Sequence, residues 1–329
     1  MRNNNLILSL LTLTLVGLFW LDLSCGSTWI PLSQAFQEGS LYQQIFLNIR
    51  LPKALTAILA GMALSVSGLM MQTLFRNPLA GPYILGVSSG ASLGVALLTM
   101  LAGITIHFST LYTLHSTLSA ALAAVIGSAL VLLLMLLLAR RIRSNVTLLI
   151  VGMMVGAVAS ALVGVIQNYA DPDSLKLFIV WTLGSLQGVG WQEMQYLLPI
   201  TIVGILGALA LIKPLNGFLL GEDYAQGLGI SVRYVRWAIV LVSGLLVGGI
   251  TAFCGPIAFV GVAVPHIARG LFQSTNHRLT MPSCALIGAN LLLICDLLSS
   301  LSTYPLPIST LSSLIGAPII IYVIVRRSY

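Results

Sequence analysis

Charged residues along this chain mark the ends of long apolar stretches. The segments 3–21, 54–75, 77–139, 144–170, 177–192, 194–212, 237–268, 279–295 and 297–325 contain no Asp, Glu, Lys or Arg. A helix rises 1.5 Å per residue, so about 20 apolar residues cross a hydrocarbon core of ~30 Å. Segment 54–75 shows the pattern most cleanly: its 22 uncharged residues make a helix of about 33 Å. It follows Arg50-Leu51-Pro52-Lys53 and ends in Arg76-Asn77-Pro78-Leu79-Ala80-Gly81-Pro82. Segment 77–139 is long enough for two helices, and a polar break near 107–116 divides it into spans at 82–104 and 117–138.

Segment 237–268 contains Gly255-Pro256, where a helix must stop because proline lacks the amide donor and clashes with the preceding turn. If the chain reverses there, ten crossings result and both ends lie on one side. Twelve of the 15 Lys and Arg then share that side, leaving Arg50, Lys53 and Lys176 opposite. The positive-inside rule makes the crowded side cytoplasmic. One crossing is awkward, because residues 258–268 give only about 16 Å of helix. It must end partway, with its free backbone groups turned toward protein or a water-filled cavity. Residues 171–191 read as an external helix with a Gly-rich return. Gly152-x-x-x-Gly156 and Gly244-x-x-x-Gly248 are spacings that let helices approach closely.

Composition supports lipid as the solvent. Of 329 residues 58% are hydrophobic and 7% charged, against about 25% charged in soluble domains. The formal charge of +7 comes from cations in ones and threes, which excludes a nucleic-acid stripe. Cys25, Cys254, Cys284 and Cys295 have no metal-site or disulfide-frame spacing and read as small buried side chains. The first apolar segment is longer than a signal core, and Asp22 stands where a lipoprotein signal needs an apolar residue, so an uncleaved first helix is expected.

Several residues are candidates for chemistry. Gly86-Val87-Ser88-Ser89-Gly90 matches the G-x-S-x-G hydrolase elbow, but membrane helices flank it where the motif needs a strand. Asp296 is the only acid well inside an expected crossing. Such acids are costly and often functional, though Ser299, Ser300, Ser302 and Thr303 offer hydrogen bonds for a structural role. His266 reads as a hydrogen-bonded structural residue, and His107 and His115 have no metal-binding geometry. The loop 216–231 holds Glu222 and Asp223, suited to a helix start, and Gly227 and Gly229, suited to its end. Its apolar Phe218, Leu219, Leu220 and Leu228 point to a docking surface. Arg50 and Lys53, three apart at a helix start, share a face. They either anchor the interface by snorkelling or await acidic groups from outside.

Taken in order, these motifs resemble the FecCD family, permeases of type II ABC importers for iron-siderophores, haem and cobalamin. The resemblance is carried by the Arg50–Lys53 motif, Met71-Gln72-Thr73-Leu74-Phe75-Arg76-Asn77-Pro78-Leu79-Ala80, Leu85-Gly86-Val87-Ser88-Ser89-Gly90-Ala91, Trp181-Thr182-Leu183-Gly184-Ser185-Leu186, Leu228-Gly229, Gly255-Pro256-Ile257-Ala258-Phe259-Val260-Gly261 with Pro265-His266, and Leu314-Ile315-Gly316-Ala317-Pro318. It covers nearly the whole chain. It implies an all-α polytopic membrane protein of about ten transmembrane helices in one domain over 1–329, in the bacterial inner membrane. It also implies a second permease subunit, as homodimer or heterodimer, a pair of cytoplasmic ATPases and an extracytoplasmic substrate-binding protein.

By the same resemblance, 215–231 forms the helices that couple to the ATPase, with Leu219, Gly221, Glu222, Asp223, Ala225, Leu228 and Gly229 among them. Arg50 and Lys53 dock the binding protein, and Ser144, Asn145, Val146 and Thr147 belong to the cytoplasmic gate. Two departures stand out: Ser300 replaces a family arginine, and Pro305-Leu306-Pro307-Ile308-Ser309 replaces a Glu-Leu-Pro-x-Gly motif. No G-x-x-x-x-G-K-[ST] phosphate loop occurs, so no cofactor is expected in this chain and ATP belongs to the partner ATPase. The chain is not expected to be an enzyme. A rival from another class is an ion-coupled secondary transporter using Asp296.

Overall fold

The computed structural model describes residues 4–26, 39–101, 117–142, 144–302 and 304–327. The expected break at 107–116 with His107 and His115, and also Arg143 and Thr303, lie outside these residues. Helix is the only secondary structure among the described residues. This is the physical result anticipated for apolar segments, since in lipid every backbone group must pair within its own helix or barrel.

The helices in order are α1 (Asn4–Ser24), α2 (Leu41–Leu74, with a π-turn at Phe46–Arg50), α3 (Val87–Ala96, extended by a π-turn at Leu97–Leu101) and α4 (Thr117–Arg141). Next come α5 (Asn145–Tyr169), α6 (Pro172–Thr182), α7 (Trp191–Ala210), α8 (Ile212–Leu220) and α9 (Glu222–Gly227). The chain ends with α10 (Val232–Cys254), α11 (Val260–Phe272), α12 (His277–Leu301) and α13 (Ile308–Arg327). Among the described residues seven helices are long and apolar enough to cross a membrane, and three shorter apolar helices, Val87–Met100, Val260–Phe272 and Ile308–Tyr322, bring the set to the ten expected. Local chemistry sets several starts: Ser144 accepts the Thr147 amide at 3.3 Å, Asp171 those of Asp173 and Ser174, and Asn276 that of Arg278, each replacing a bond the first helical turn lacks.

Helix α2 is the axis. It packs against α1, α7, α8, α10, α11 and α12, whereas α3 packs against α4, α5 and α10. Of α2's most apolar window 78% is buried, against 17% for α5 and 11% for α1, so α5 and α1 turn most of their surface outward. Such centrality needs small residues. A methyl on Gly61 would lie 2.2 Å from the Gly288 carbonyl oxygen of α12, and one on Gly68 would lie 1.7 Å from that of Gly261 on α11. The other small-residue pairs work differently: Gly152 receives the Ile84 carbonyl, and Gly244 and Gly248 receive Leu132 and Ser128 of α4.

The short crossing behaves as its length requires. Helix α10 stops at Gly255 (φ 71), the chain turns again at Phe259 (φ 65), and α11 starts opposite Leu64 and Gly68 of α2. At 13 residues α11 is about 20 Å long, longer than the expected 258–268 yet still too short to span. Its broken backbone is paired inside protein. The Tyr83 hydroxyl donates to the Ile257 carbonyl and accepts the Ile257 amide, the Ser185 amide donates to the Cys254 carbonyl at 2.8 Å, and Ser312 Oγ donates to the Ala258 carbonyl at 2.9 Å. The return after α6 and the start of α13 join the same knot through Ile308 N–Gly184 O and Ser309 N–Leu183 O, both 3.3 Å. The departure Ser309 has a place here, its Oγ accepting the Ala258 amide at 3.4 Å. At the far end of α11, His266 Nε2 donates to the Pro78 carbonyl at 2.8 Å, the structural role read for it.

Candidate functional site

The polar side chains concentrate at the two ends of α2. At the Arg76 end, α8 and α9 lie across the helix ends. α8 turns inward: Leu215 and Phe218 are buried, Leu219 is half-buried and Leu220 is exposed. Phe218, read from the sequence as part of a docking surface, is 1% exposed and belongs to the core instead, because α8 packs it against α2 and α12. Gly221 (φ 118) makes the kink between α8 and α9, and Ala225 packs beneath α9. Asp223, Tyr224, Leu228 and Gly229 stay exposed, so the outward face of this segment combines an acid with apolar side chains.

Glu222 turns the other way, into the protein. It accepts two bonds from Arg236 of α10 at 3.1 Å and one from Asn145 Nδ2 at 2.6 Å. Asn145 Nδ2 also donates to the Leu74 carbonyl at 2.7 Å, and Arg236 donates to the Ile142 carbonyl at 2.8 Å. One carboxylate at the start of α9 is thereby tied to the first residue of α5, the last turn of α2 and the α4–α5 connection. Charge-assisted bonds of this kind are the stronger ones. Of the expected gate residues, only Asn145 faces this network. Ser144 caps α5, and Val146 and Thr147 are exposed.

A second tie joins α8 to α12 and α2. The Asn216 Oδ1 accepts the His277 amide and Nδ1–H, each at 2.8 Å, and His277 Nε2 meets Thr73 Oγ1 at 2.9 Å. His277 and Thr73 were not singled out from the sequence, where a lone histidine beside a helix cap carries no pattern. The signal lay in Asn276-His277, a cap residue and a bifunctional ring at the start of an apolar helix.

At the Arg50 end the chain buries two acids and two bases. Lys53 Nζ lies 3.0 Å from Asp296 Oδ2 and donates to Ser300 Oγ at 2.8 Å. Arg50 donates to the Leu23 and Ser24 carbonyls at 3.0 and 2.7 Å, and Asp22 faces Asp296, Lys53 and Arg50. Arg50, Lys53, Asp22 and Asp296 are 6%, 8%, 1% and 2% exposed. Lys53 is paired with Asp296 and Arg50 is held by backbone carbonyls, the kind of partner that burying such groups requires. Asp296 is therefore joined by a second acid within the membrane helices, one the sequence reading placed outside because the uncharged segment stops at Leu21, whereas α1 continues to Ser24. Ser300 accepts from Lys53, and Ser299 donates to the Leu306 carbonyl instead. The G-x-S-x-G match is a helix start packed on its neighbours: Gly86 (φ 72) lies against Gly156, and Gly90 against Gly127 and Val131 of α4. Cys254, Cys284 and Cys295 are buried and Cys25 half-buried, all with free thiols.

Known proteins resemble this chain in sequence and fold. The chain matches the sequence profile of the FecCD transport family over residues 13–326. It is 36% identical to the hemin transport system permease protein HmuU of Yersinia pestis, over 86% of this chain and 84% of that one. It is 36% identical to the vitamin B12 import system permease protein BtuC of Serratia proteamaculans, over 97% of this chain and 92% of that one. A solved structure described as a metal-chelate type ABC transporter in an inward-facing conformation superposes with a TM-score of 0.86 at 30% identity, covering 97% of this chain and 99% of the other. With a matching fold over its full length and these relatives, the chain belongs to the FecCD transport family and is a membrane permease subunit of an ABC importer, a transport component rather than an enzyme.

Proposed function

We propose that this permease carries an iron-siderophore or a related metal chelate, with haem or cobalamin as the alternative cargo of the same importer class. The support is the family, whose relatives are named for hemin and vitamin B12, and the likeness to a metal-chelate type transporter.

The working unit is two permeases around a central path in the bacterial cytoplasmic membrane, as homodimer or heterodimer, with a cytoplasmic ATPase pair and an extracytoplasmic binding protein. Each chain is one permease domain with its coupling segment at 215–231. The Arg76 end, where Arg140, Arg141, Lys213, Arg233 and Arg278 also gather, is assigned to the cytoplasm with both termini. The exposed Asp223, Tyr224, Leu228 and Gly229, with Leu219, face the ATPase, while Gly221 and Ala225 shape the segment. The exposed apolar face of α5, with Met154, Val158 and Leu162, faces the path or the second permease.

The Glu222–Asn145 bond carries the mechanism. It joins the coupling segment to the start of the gate helix at Ser144, Asn145, Val146 and Thr147, so that movement of α9 with the ATPase pulls on α5. At the other end, the binding protein docks on the rim around Arg50 and Lys53. Because both cations are already engaged within the chain, its carboxylates meet them only as added partners.

The test of cargo is uptake into proteoliposomes holding the permease with its cognate ATPase and binding protein. ATP-dependent accumulation of a ferric siderophore is expected. Accumulation of cobalamin or haemin alone would overturn the cargo assignment.

A further inference from the structure

A cavity of about 320 Å³ at the Arg76 end is lined by Ala139, Arg140, Arg233, Tyr234 and Trp237. It lies between the last turn of α4 and the first turns of α10. Arg140 and Arg233 are exposed, and among the described residues neither makes an ion pair. The Arg140 guanidinium lies 5.7 Å from the Trp237 ring centroid. The Trp237 Nε1–H is buried and has no acceptor among the described residues. That nitrogen is closed off from the cavity, so Trp237 enters the lining as an aromatic wall beside Arg140.

The surroundings say which kind of ligand fits. Leu133 and Leu137 precede Arg140 on one face of α4, 55% and 52% exposed, and Leu241 follows Trp237 by one helical turn on α10, 37% exposed. An apolar track therefore leads into a cationic cavity with an aromatic wall. The volume is at the small end of ligand clefts, room for a headgroup while its chains stay outside along the leucines. Basic pockets between membrane helices near the cytoplasmic surface suit anionic lipid headgroups.

We propose that this cavity binds the phosphate of an anionic phospholipid of the cytoplasmic leaflet. Arg140 and Arg233 face the phosphate oxygens, the Trp237 ring walls the cavity, and the acyl chains run along Leu133, Leu137 and Leu241. This site is independent of which chelate is carried.

Native mass spectrometry of the purified full chain in detergent tests it, with phosphatidylglycerol and phosphatidylcholine offered together. Two cations should favour phosphatidylglycerol by about 30-fold. The paired change Arg140→Gln with Arg233→Gln should bring its retention to the phosphatidylcholine level. Trp237→Phe, which keeps an aromatic wall and loses only an N–H closed off from the cavity, should leave the preference in place, and its loss there would overturn an arginine-based site. Equal retention of the two lipids by the unaltered chain would overturn the proposal without any variant. Displacement of phosphatidylglycerol by inorganic phosphate at low millimolar concentration would make this a free-anion site. Its expulsion when the cognate ATPase binds would make the cavity a protein contact.

Discussion

Lys53 and Asp296 sit 3.0 Å apart with almost no access to solvent, in a cluster completed by Asp22 and Arg50. Removing one partner of a buried pair leaves the other charge uncompensated, which costs about 3–5 kcal/mol. Lys53→Met is therefore expected to destabilise the chain by that order, and adding Asp296→Leu to recover most of it. Denaturant titration of the purified permease measures both. A single change as mild as the loss of an exposed cation would mean that the pair is not buried. The sequence showed each of these four residues but not their association. Asp22 and Asp296 are 274 positions apart in the chain, and Arg50 and Lys53 at a helix start look the same whether they face outward or inward. The ambiguity is physical, since the cost of a buried charge depends on partners that only tertiary packing supplies.

Among the helices, the crossing segments were legible because lipid imposes length and uncharged composition, and the discontinuous α10–α11 crossing because a proline and a short segment cannot span alone. What composition does not carry is the partner that repairs each break. Tyr83, Ser185, Ser309 and Ser312 satisfy the turn at 255–259 from three separate parts of the chain. Close packing was half legible: glycine spacing marked possible contacts, while the pairing of Gly68 with Gly261 and of Gly61 with Gly288 joins helices far apart in sequence. Gly68→Ala, whose methyl would meet the Gly261 carbonyl at 1.7 Å, is expected to cost about 3 kcal/mol or more through backbone displacement. Gly164→Ala on α5, with nothing within 4 Å, is expected to stabilise by about 0.5–1 kcal/mol through helix propensity. Equal effects in thermal unfolding would place both glycines in open surroundings.

For the whole transporter, the family and fold are established by likeness along the full chain, and the proposed step is the passage of ATPase movement to the gate. Glu222 was visible in the sequence as a helix-start acid and Asn145 as one of four gate residues, but the bond between them, at 2.6 Å, joins positions 77 residues apart. Arg236, which fixes the other side of the carboxylate, read as one more cytoplasmic cation. The decisive measurement is the amount of cargo moved per ATP hydrolysed, by unaltered and Asn145→Ala transporters reconstituted with the ATPase and binding protein. Loss of a coupling of 1–3 kcal/mol lowers the ratio by about 5- to 150-fold, so uptake should collapse while ATP hydrolysis continues. An unchanged ratio, with uptake and hydrolysis intact or falling together, would contradict coupling through Glu222 and Asn145.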